Sequence, residues 1–280
     1  MRRLIAFALL CLTPAWAARE IINGAGDTSI IITASSLTIL QGSDMSAGLW
    51  IKIGAGATAG GVIFSRSCNI ALPQPDELWM TYGLLLAGAS TAWDITYRHE
   101  NSSAQTNTWD INLSNDTWYY LGITRDVTGK TVNLYYGTAA SALTNPTAYT
   151  YTLNPDGAAT STGLRFFKRN VCGGSTNALL DDVTVAHFGL WSRELTANEH
   201  VTWSGGRRPS GAILLEMPFT CDSPEPDWSG NNLDTSTIGS NINCASNPPI
   251  GPTYAQHPPS LWPLLWERLA TAFIGGWRWR

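Results

Sequence analysis

The sequence predicts an all-β protein in which two antiparallel sheets pack face to face as a sandwich. Charged residues make up only 14% of the 280 residues, while Gly, Ser, Thr and Asn are abundant. This composition is typical of short strands joined by many turns. Apolar and β-branched runs recur along the chain and end at Gly, Asp or Asn. A chain of this length is long enough for one large sandwich or two small domains.

Strand-like segments follow one another from residue 29 onward. Residues 47–53 alternate, which places Leu49 and Ile51 on one face of a strand and Trp50 on the other. The other segments are apolar or β-branched runs that end at turn-forming residues. The predicted strands are 29–33, 37–40, 47–53, 62–65, 79–86, 93–98, 108–113, 118–125, 130–136, 164–168, 179–191 and 213–217.

Two local patterns predict specific structures. Residues 118–125 and 130–136 are separated by four residues that end in Gly129, a spacing typical of a β-hairpin. Thr196 is followed three residues later by Glu199, which forms a capping box and predicts one helical turn. The sequence therefore predicts mostly strands with few helical segments.

The composition changes along the chain and divides it into four predicted parts. Residues 1–18 form a signal peptide, residues 19–219 the sandwich, residues 220–260 a Pro/Asn-rich irregular extension, and residues 261–280 a Trp/Arg-rich tail. The prolines of the extension cannot occupy a central strand. The tail predicts a short amphipathic helix that could lie at a membrane interface, dock on the sandwich or contact a partner.

The first residues have the pattern of a secretory signal peptide. Arg2 and Arg3 form a basic region, residues 4–12 are apolar, and residues 15–17 read Ala-Trp-Ala, a small-x-small cleavage pattern. The apolar stretch is too short to span a bilayer. We therefore expect a secreted, extracytoplasmic protein.

Cysteine usage agrees with export. Cys11 would leave with the signal peptide, and the remaining four cysteines are candidates for disulfides. Four cysteines allow three pairings. Cys221 with Cys244 closes the shortest loop and would leave Cys68 with Cys172. Plain buried thiols remain an alternative.

Five segments of the sequence carry a shared pattern. They are MSAGLWIK at 45–52, GVIFSR at 61–66, WYYLGITRD at 118–126, TVNLYYG at 131–137, and LDDV at 180–183 with LWSRELTANE at 190–199. Together and in this order, they resemble the laminin-G-like, concanavalin-A-like lectin and glucanase jelly rolls over residues 45–199. The resemblance implies a two-sheet jelly-roll sandwich but says little about the ligand. The usual Asp-Glu pair of that superfamily's closing strand is here Asp181-Asp182.

Catalytic motifs are missing from the sequence. It contains no G-x-S-x-G, HExxH or P-loop pattern. A glycoside hydrolase on this fold would need two carboxylates about 5–10 Å apart, and adjacent acids on a strand point to opposite faces. The close acidic groups are Asp76-Glu77, Asp181-Asp182 and Glu225-x-Asp227. We therefore expect no enzymatic activity, and we expect Asp181-Asp182 to anchor a turn.

The resemblance implies calcium-assisted carbohydrate binding. Calcium prefers about six to eight oxygen ligands. Near one end of adjacent predicted strands, the sequence offers Asp94, Asp110, Asn112, Asn115 and Asp116 as candidates. Ordinary turn chemistry is the alternative explanation for these Asn and Asp residues.

Three aromatic residues of the same region are candidates for stacking on sugar rings. They are Trp93, Tyr97 and Trp109. A place in the core between the sheets is the alternative, because Trp is highly buried on average.

These observations favour an exported, non-catalytic module that binds carbohydrate or an extracellular protein. The alternative is a structural or adhesive assembly subunit that contacts a membrane surface or itself through residues 261–280. A glycoside hydrolase on the same fold is the third possibility. The net charge of −4 and the lack of a basic run argue against nucleic-acid binding.

Overall fold

The computed structural model describes residues 18–21, 30–33, 43–57, 61–66, 77–82, 92–101, 103–153, 163–167, 182–219, 221–240 and 242–245. Several sequence predictions fall outside these residues. They are the signal peptide up to residue 17, the strand 37–40, Cys68, Cys172, Asp181 and the tail 261–280.

The described residues form fifteen strands and one helix. Most strands begin and end within a few residues of the predicted bounds. The elements are β1 (Ala18–Ile21), β2 (Ile30–Thr33), β3 (Met45–Ile53), β4 (Gly61–Arg66), β5 (Glu77–Tyr82), β6 (Ala92–Asn101), β7 (Ser103–Ser114), β8 (Trp118–Asp126), β9 (Thr131–Gly137), β10 (Tyr149–Thr150), β11 (Gly163–Phe166), β12 (Val183–Trp191), α1 (Ala197–Ser204), β13 (Leu215–Met217), β14 (Thr237–Ile238) and β15 (Ile242–Ala245).

The strands form two antiparallel sheets, which confirms the predicted all-β sandwich. Sheet A has the order β10-β9-β8-β3-β12-β1-β15, with β13 also paired to β12. Sheet B has the order β14-β2-β11-β4-β5-β6-β7. Strands β10 and β7 are therefore edge strands, as are β15 and β14 at the other ends of the two sheets.

Strand β3 shows how the sequence pattern sets the layers. Leu49 and Ile51 lie in the main core between the two sheets. Trp50 points to the other face and joins a second cluster between sheet A and α1. The predicted alternation of residues 47–53 is therefore confirmed, because successive side chains of a strand point to opposite faces.

The predicted hairpin and capping box are also confirmed. Strands β8 and β9 pair across a turn in which the Asp126 carboxylate accepts a hydrogen bond from Gly129 N at 2.7 Å. At the start of α1, Thr196 Oγ1 accepts from Glu199 N at 3.3 Å, and Glu199 Oε2 accepts from Thr196 N at 2.8 Å. No helix among the described residues is long and apolar enough to cross a membrane.

Helix α1 packs on a row of glycines on the outer face of sheet A. Gly48 is paired with Gly122 on one side and with Gly189 on the other. A Cβ atom added at Gly48 would lie 2.9 Å from Trp203 Cδ1, and one added at Gly189 would lie 2.5 Å from Trp203 Cζ2. The Trp203 ring therefore rests on the main chain, and its Nε1 donates to Gly48 O at 3.2 Å.

A buried hydrogen-bond network joins α1 to sheet A beside this row. His200 Nδ1 lies 2.8 Å from the Tyr120 hydroxyl, and His200 Nε2 lies 2.9 Å from Thr124 Oγ1. Thr124 Oγ1 also lies 2.9 Å from Ser46 Oγ, which accepts from Leu195 N at 2.8 Å. A buried polar group that loses its hydrogen-bond partner is energetically costly. The network therefore holds α1 at the one position on sheet A in which these groups keep their partners.

The segment that follows residue 219 belongs to the sandwich more closely than its composition predicts. Strand β14 pairs with β2 in sheet B, and β15 pairs with β1 in sheet A. Between β13 and β14, Asp227 accepts hydrogen bonds from Glu216 N, Ser229 N and Leu233 N at 2.8–3.0 Å. These strands are too short to show alternation, and side-chain-to-main-chain bonds hold the turns between them.

The N-terminal strand is fixed by contacts with this C-terminal segment. Arg19 forms a buried ion pair with Glu225, which also accepts from Cys221 N at 3.0 Å. Cys221 and Cys244 form a disulfide, as the shortest loop predicted. Glu225 therefore has a structural role.

Asp182 anchors a turn, as predicted for the Asp181-Asp182 pair. Gly54 N donates to Asp182 O at 2.7 Å, and Gly56 N donates to Asp182 Oδ2 at 2.6 Å. Asp182 itself has a φ of 49°. These bonds join the start of β12 to the turn after β3.

Gly122→Ala tests the close approach of α1 to sheet A. The new Cβ would lie 2.4 Å from His200 Nδ1 and 2.9 Å from the Tyr120 hydroxyl. We expect the free energy of unfolding in urea to fall by about 1–3 kcal/mol, because the buried site must shift. In Gly205→Ala, the control, the nearest atoms are 3.5 Å away, and we expect a change within about 0.5 kcal/mol. Equal effects in both variants would contradict the tight packing.

The pH dependence of stability tests the buried state of His200. Burial lowers its pKa from 6.5 to about 3, and the charge of Glu199 opposes this only in part. Below pH 6.5 the unfolded chain therefore binds a proton that the folded protein does not. The free energy of unfolding should fall by about 1.4 kcal/mol per pH unit between pH 6 and pH 5 through this residue.

His200→Gln keeps an amide near Thr124 and removes the titration. Urea denaturation at a series of pH values gives the free energy of unfolding as a function of pH. For the variant, this free energy should change with pH less steeply than for the parent protein, by the contribution of one bound proton. Burial also lowers the pKa of His187, so His187 contributes the same slope to both proteins. Identical slopes would show that His200 does not titrate as a buried neutral imidazole.

Candidate functional site

A cleft of about 360 Å³ opens where the edge strand of sheet B meets the edge strand of sheet A. One wall is formed by residues 107–110 of β7. The other wall is formed by residues 146–150, which lead into β10. Edge strands place side chains and main-chain groups beside solvent, so the cleft is an accessible concave surface.

Trp109 holds the two walls together. Its Nε1 donates to Thr147 O at 3.0 Å, and this bond joins positions 38 residues apart in the sequence. The side chain is 6% exposed and belongs to the main core. Trp109 therefore forms the base of the cleft, with its indole N–H already committed to the opposite wall.

The lining of the cleft combines an aromatic ring with several polar side chains. Tyr149 is partly buried, and this burial raises the pKa of its hydroxyl. Asn107, Asp110 and Thr150 also line the cleft, and their side chains carry an amide, a carboxylate and a hydroxyl. Thr108 also lines the cleft, and its hydroxyl lies 2.8 Å from Thr96 Oγ1 on the neighbouring strand.

A β-bulge places Asp110 at one end of the cleft. The register of β6 and β7 shifts between Trp93 and Ile95. Asp94 lies at this shift, and its Oδ1 accepts hydrogen bonds from two amides of the partner strand, Ile111 N at 3.0 Å and Asn112 N at 3.4 Å. The bulge therefore depends on a nearly buried carboxylate that caps two main-chain amides.

The carboxyl groups of Asp94 and Asp110 lie close together. Burial raises the pKa of Asp94 above its ordinary value. The two amide hydrogen bonds of the bulge lower the pKa of Asp94, whereas the negative charge of Asp110 and a hydrogen bond between the two carboxyl groups raise it further. Asn112 Nδ2 donates to Asp110 Oδ1 at 2.5 Å and shields part of this repulsion.

The three predicted stacking residues are core residues in the structure. Trp93 and Tyr97 are 0% and 1% exposed, and both belong to the main core with Trp109. Trp93 Nε1 donates to Asn115 Oδ1 at 2.7 Å, and Tyr97 OH accepts from Arg125 Nη1 at 3.4 Å. Because they lie on the inward side of β6 and β7, these rings offer no open face to a sugar.

The structure brings three of the predicted calcium ligands together at the bulge. They are Asp94, Asp110 and Asn112, while Asp116 lies in the turn after β7, where its main chain bonds to Ile53. Asp94 Oδ1 is occupied by amides, and Asn112 presents its amide nitrogen to Asp110. Calcium takes six to eight oxygens, so a site built on these residues would also need main-chain carbonyls or water as ligands. Calcium binding therefore stays a prediction.

A second group of carboxylates lies at the far end of β8. Oxygen atoms of Asp44, Asp126 and Glu194 come within 4.8 Å of one another. Burial and then the charges of Asp126 and Asp44 raise the pKa of Glu194. Asp44 accepts from Val127 N at 2.9 Å, as Asp126 accepts from Gly129 N. Asp44 and Asp126 therefore have a structural role, because each accepts a hydrogen bond from a main-chain amide of the β8–β9 turn.

Sequence reasoning found Trp109 and Asp110 but missed the opposite wall of the cleft. Tyr149 and Thr150 form a strand of two residues, which is too short for any periodic signal. Asn107 precedes the predicted strand 108–113 and carries no motif. The only local signal is the run of Pro146 and Thr residues, which is typical of a loop.

Comparison with known proteins places the fold. No protein-family model matches the sequence, and no curated protein sequence matches it. A native heptameric SAP-like pentraxin from Limulus polyphemus has a similar structure, with a TM-score of 0.56 and 11% sequence identity, over 87% of this chain and 98% of that one.

A Bacteroides ovatus protein described as a candidate carbohydrate-binding protein also matches, with a TM-score of 0.56 and 10% identity, over 83% of this chain and 60% of that one. At these identities the similarity shows the fold alone. Together with the two-sheet topology, it establishes that this chain has the concanavalin-A-like jelly-roll fold.

Proposed function

We propose that this protein is a non-catalytic module that binds glycans in the cleft between β7 and β10. One observation carries the proposal. The cleft brings the partly exposed ring of Tyr149 together with the polar side chains of Asn107, Asp110 and Thr150 in one concave site. Binding sites for small molecules combine an apolar or aromatic wall with a few placed polar groups in this way.

The chemistry of the lining suits a sugar. A Tyr side chain offers an apolar ring and a polar tip, so it can cover the C–H face of a sugar and bond to one of its hydroxyls. Carboxylate and amide oxygens accept hydrogen bonds from sugar hydroxyls, and the amide N–H and the Thr hydroxyl can donate. Asp110 is the strongest acceptor in the cleft, because it is a carboxylate.

The arrangement of the acids favours binding over hydrolysis. Asp94 and Asp110 are within hydrogen-bonding reach of each other. Glycoside hydrolases instead hold two carboxyl groups about 5–10 Å apart on either side of the bond. Asp94 is also occupied with the amides of the bulge, which is a structural task.

The fold adds a weaker argument. One structural neighbour is described as a candidate carbohydrate-binding protein. The same fold hosts many functions, so the cleft and not the fold carries the proposal. The alternative of an assembly subunit that acts through residues 261–280 has no observation among the described residues in its favour.

We also propose that the protein is exported. The Cys221–Cys244 disulfide supports this, since disulfides persist in oxidising compartments. The basic and apolar N-terminal pattern supports it independently.

A glycan array with the protein from residue 18 onward tests the binding proposal. We expect selective binding, and we expect Tyr149→Ala to weaken it at least about tenfold, because a central aromatic contact is often worth 1.4 kcal/mol or more. Tyr149→Phe should retain most of the affinity. Asp234→Asn is the matched control, since Asp234 is exposed, lies outside the cleft and is not a candidate calcium ligand.

The array is run once with calcium and once with a chelator. Loss of binding on chelation would support the predicted calcium site, and unchanged binding would remove the metal from the proposal. Glycan binding that Tyr149→Ala leaves intact would place the site elsewhere. No binding under either condition would refute the proposed function.

Expression of the full chain with its own N-terminal segment tests export and the disulfide. We expect the protein in the medium or periplasm, with Cys221 and Cys244 joined in non-reducing peptide mapping. The pair spans 23 residues, so its replacement by Ser should lower the free energy of unfolding by about 3 kcal/mol. Cytosolic protein with free thiols would contradict this proposal.

A further inference from the structure

The lining of the cleft has an uneven charge. Nine described residues line it, and a carboxylate, that of Asp110, is the only charged side chain among them. No lining residue is basic. The nine residues are Asn107, Thr108, Trp109, Asp110, Pro146, Thr147, Ala148, Tyr149 and Thr150.

A second carboxyl group stands behind the first. Asp94 is 6% exposed and lies within hydrogen-bonding reach of Asp110. Its other neighbours at this point are main-chain amides of the bulge, which carry no net charge. The end of the cleft at which Asp110 lies is therefore acidic.

The basic residues nearby are placed outside the lining. The Lys130 ammonium donates to Thr152 O at 3.0 Å, beyond the end of the cleft at Thr150. Arg98 lies on β6 opposite Thr106, which is not a lining residue. Neither residue is among the residues that line the cleft.

We infer that the cleft selects uncharged glycans and rejects glycans that carry sialic acid, uronic acid or sulfate. This inference rests on the proposed function. Arg and Lys are the preferred partners of a sugar carboxylate or sulfate, and a bidentate Arg binds such a group most strongly. Here an anionic group would instead meet Asp110 and the carboxyl group behind it.

The size of the effect follows from the interaction of two like charges. At about 5 Å, the repulsion corresponds to a loss of affinity of about fourfold at the dielectric constant of water and of more than about a hundredfold at that of a protein surface, and a loss of about tenfold lies within this range. An uncharged sugar in the same position avoids this repulsion and can donate hydroxyl hydrogens to Asp110. The same carboxylate therefore binds one class of glycan and excludes the other.

The test uses pairs of glycans that differ only by a terminal sialic acid or by one sulfate group. Binding is measured in EDTA, so that no divalent cation neutralises the carboxylates. We expect the uncharged member of each pair to bind at least about tenfold more tightly to the parent protein. Asp110→Asn should reduce this preference, and Asp110→Lys should reverse it. Asp234→Lys, which changes an exposed acid outside the cleft, should leave it unchanged.

The outcomes separate the inference from the proposed function. If the parent protein binds the anionic member of a pair more tightly, and Tyr149→Ala abolishes that binding, the charge selection is refuted while glycan binding in the cleft stands. If Asp234→Lys changes the preference as much as Asp110→Lys does, the selection comes from overall charge, and the assignment to Asp110 is wrong. If no member of any pair binds, either in EDTA or with calcium, both proposals fail together.

Discussion

The packing of α1 against sheet A is the constraint on which the rest of the structure depends. Gly122, Gly48 and Gly189 lie side by side on three neighbouring strands and let the rings of the helix touch the main chain. Trp203 and His200 fill this space, and their hydrogen bonds fix the helix on β3 and β8. Because β9 and β10 follow β8 in the same sheet, this contact also fixes one wall of the cleft.

The two sides of the sandwich are closed in different ways. On one side, the N-terminal strand β1 pairs with the C-terminal strand β15, and the Arg19–Glu225 ion pair and the disulfide hold them. On the other side, β7 and β10 end the two sheets, and the Trp109 hydrogen bond to Thr147 joins them. Among the described strands, β7 and β10 are edge strands, and the cleft lies between them.

The two carboxylates at the bulge differ in what they contact: one caps main-chain amides, and the other lines the cleft. Asp94 caps two amides and is nearly buried, so it holds the backbone of β7 in place. Asp110, on the other strand of the same pair, is exposed and lines the cleft. A sequence pattern that marks both as metal ligands cannot separate these roles, because the difference is one of burial.

The sequence by itself determined the sandwich class, the two faces of β3, the β8–β9 hairpin and the capping box of α1, because these depend on residues close together in the chain. It favoured the Cys221–Cys244 pairing only as the shortest loop, and the structure decided it. Tertiary structure alone decided that Trp93 and Tyr97 are core, and that Tyr149 meets Asp110 across a cleft. Burial and edge-to-edge contact depend on which strands end the two sheets. That order is set by long-range pairing and packing, for which no local pattern codes.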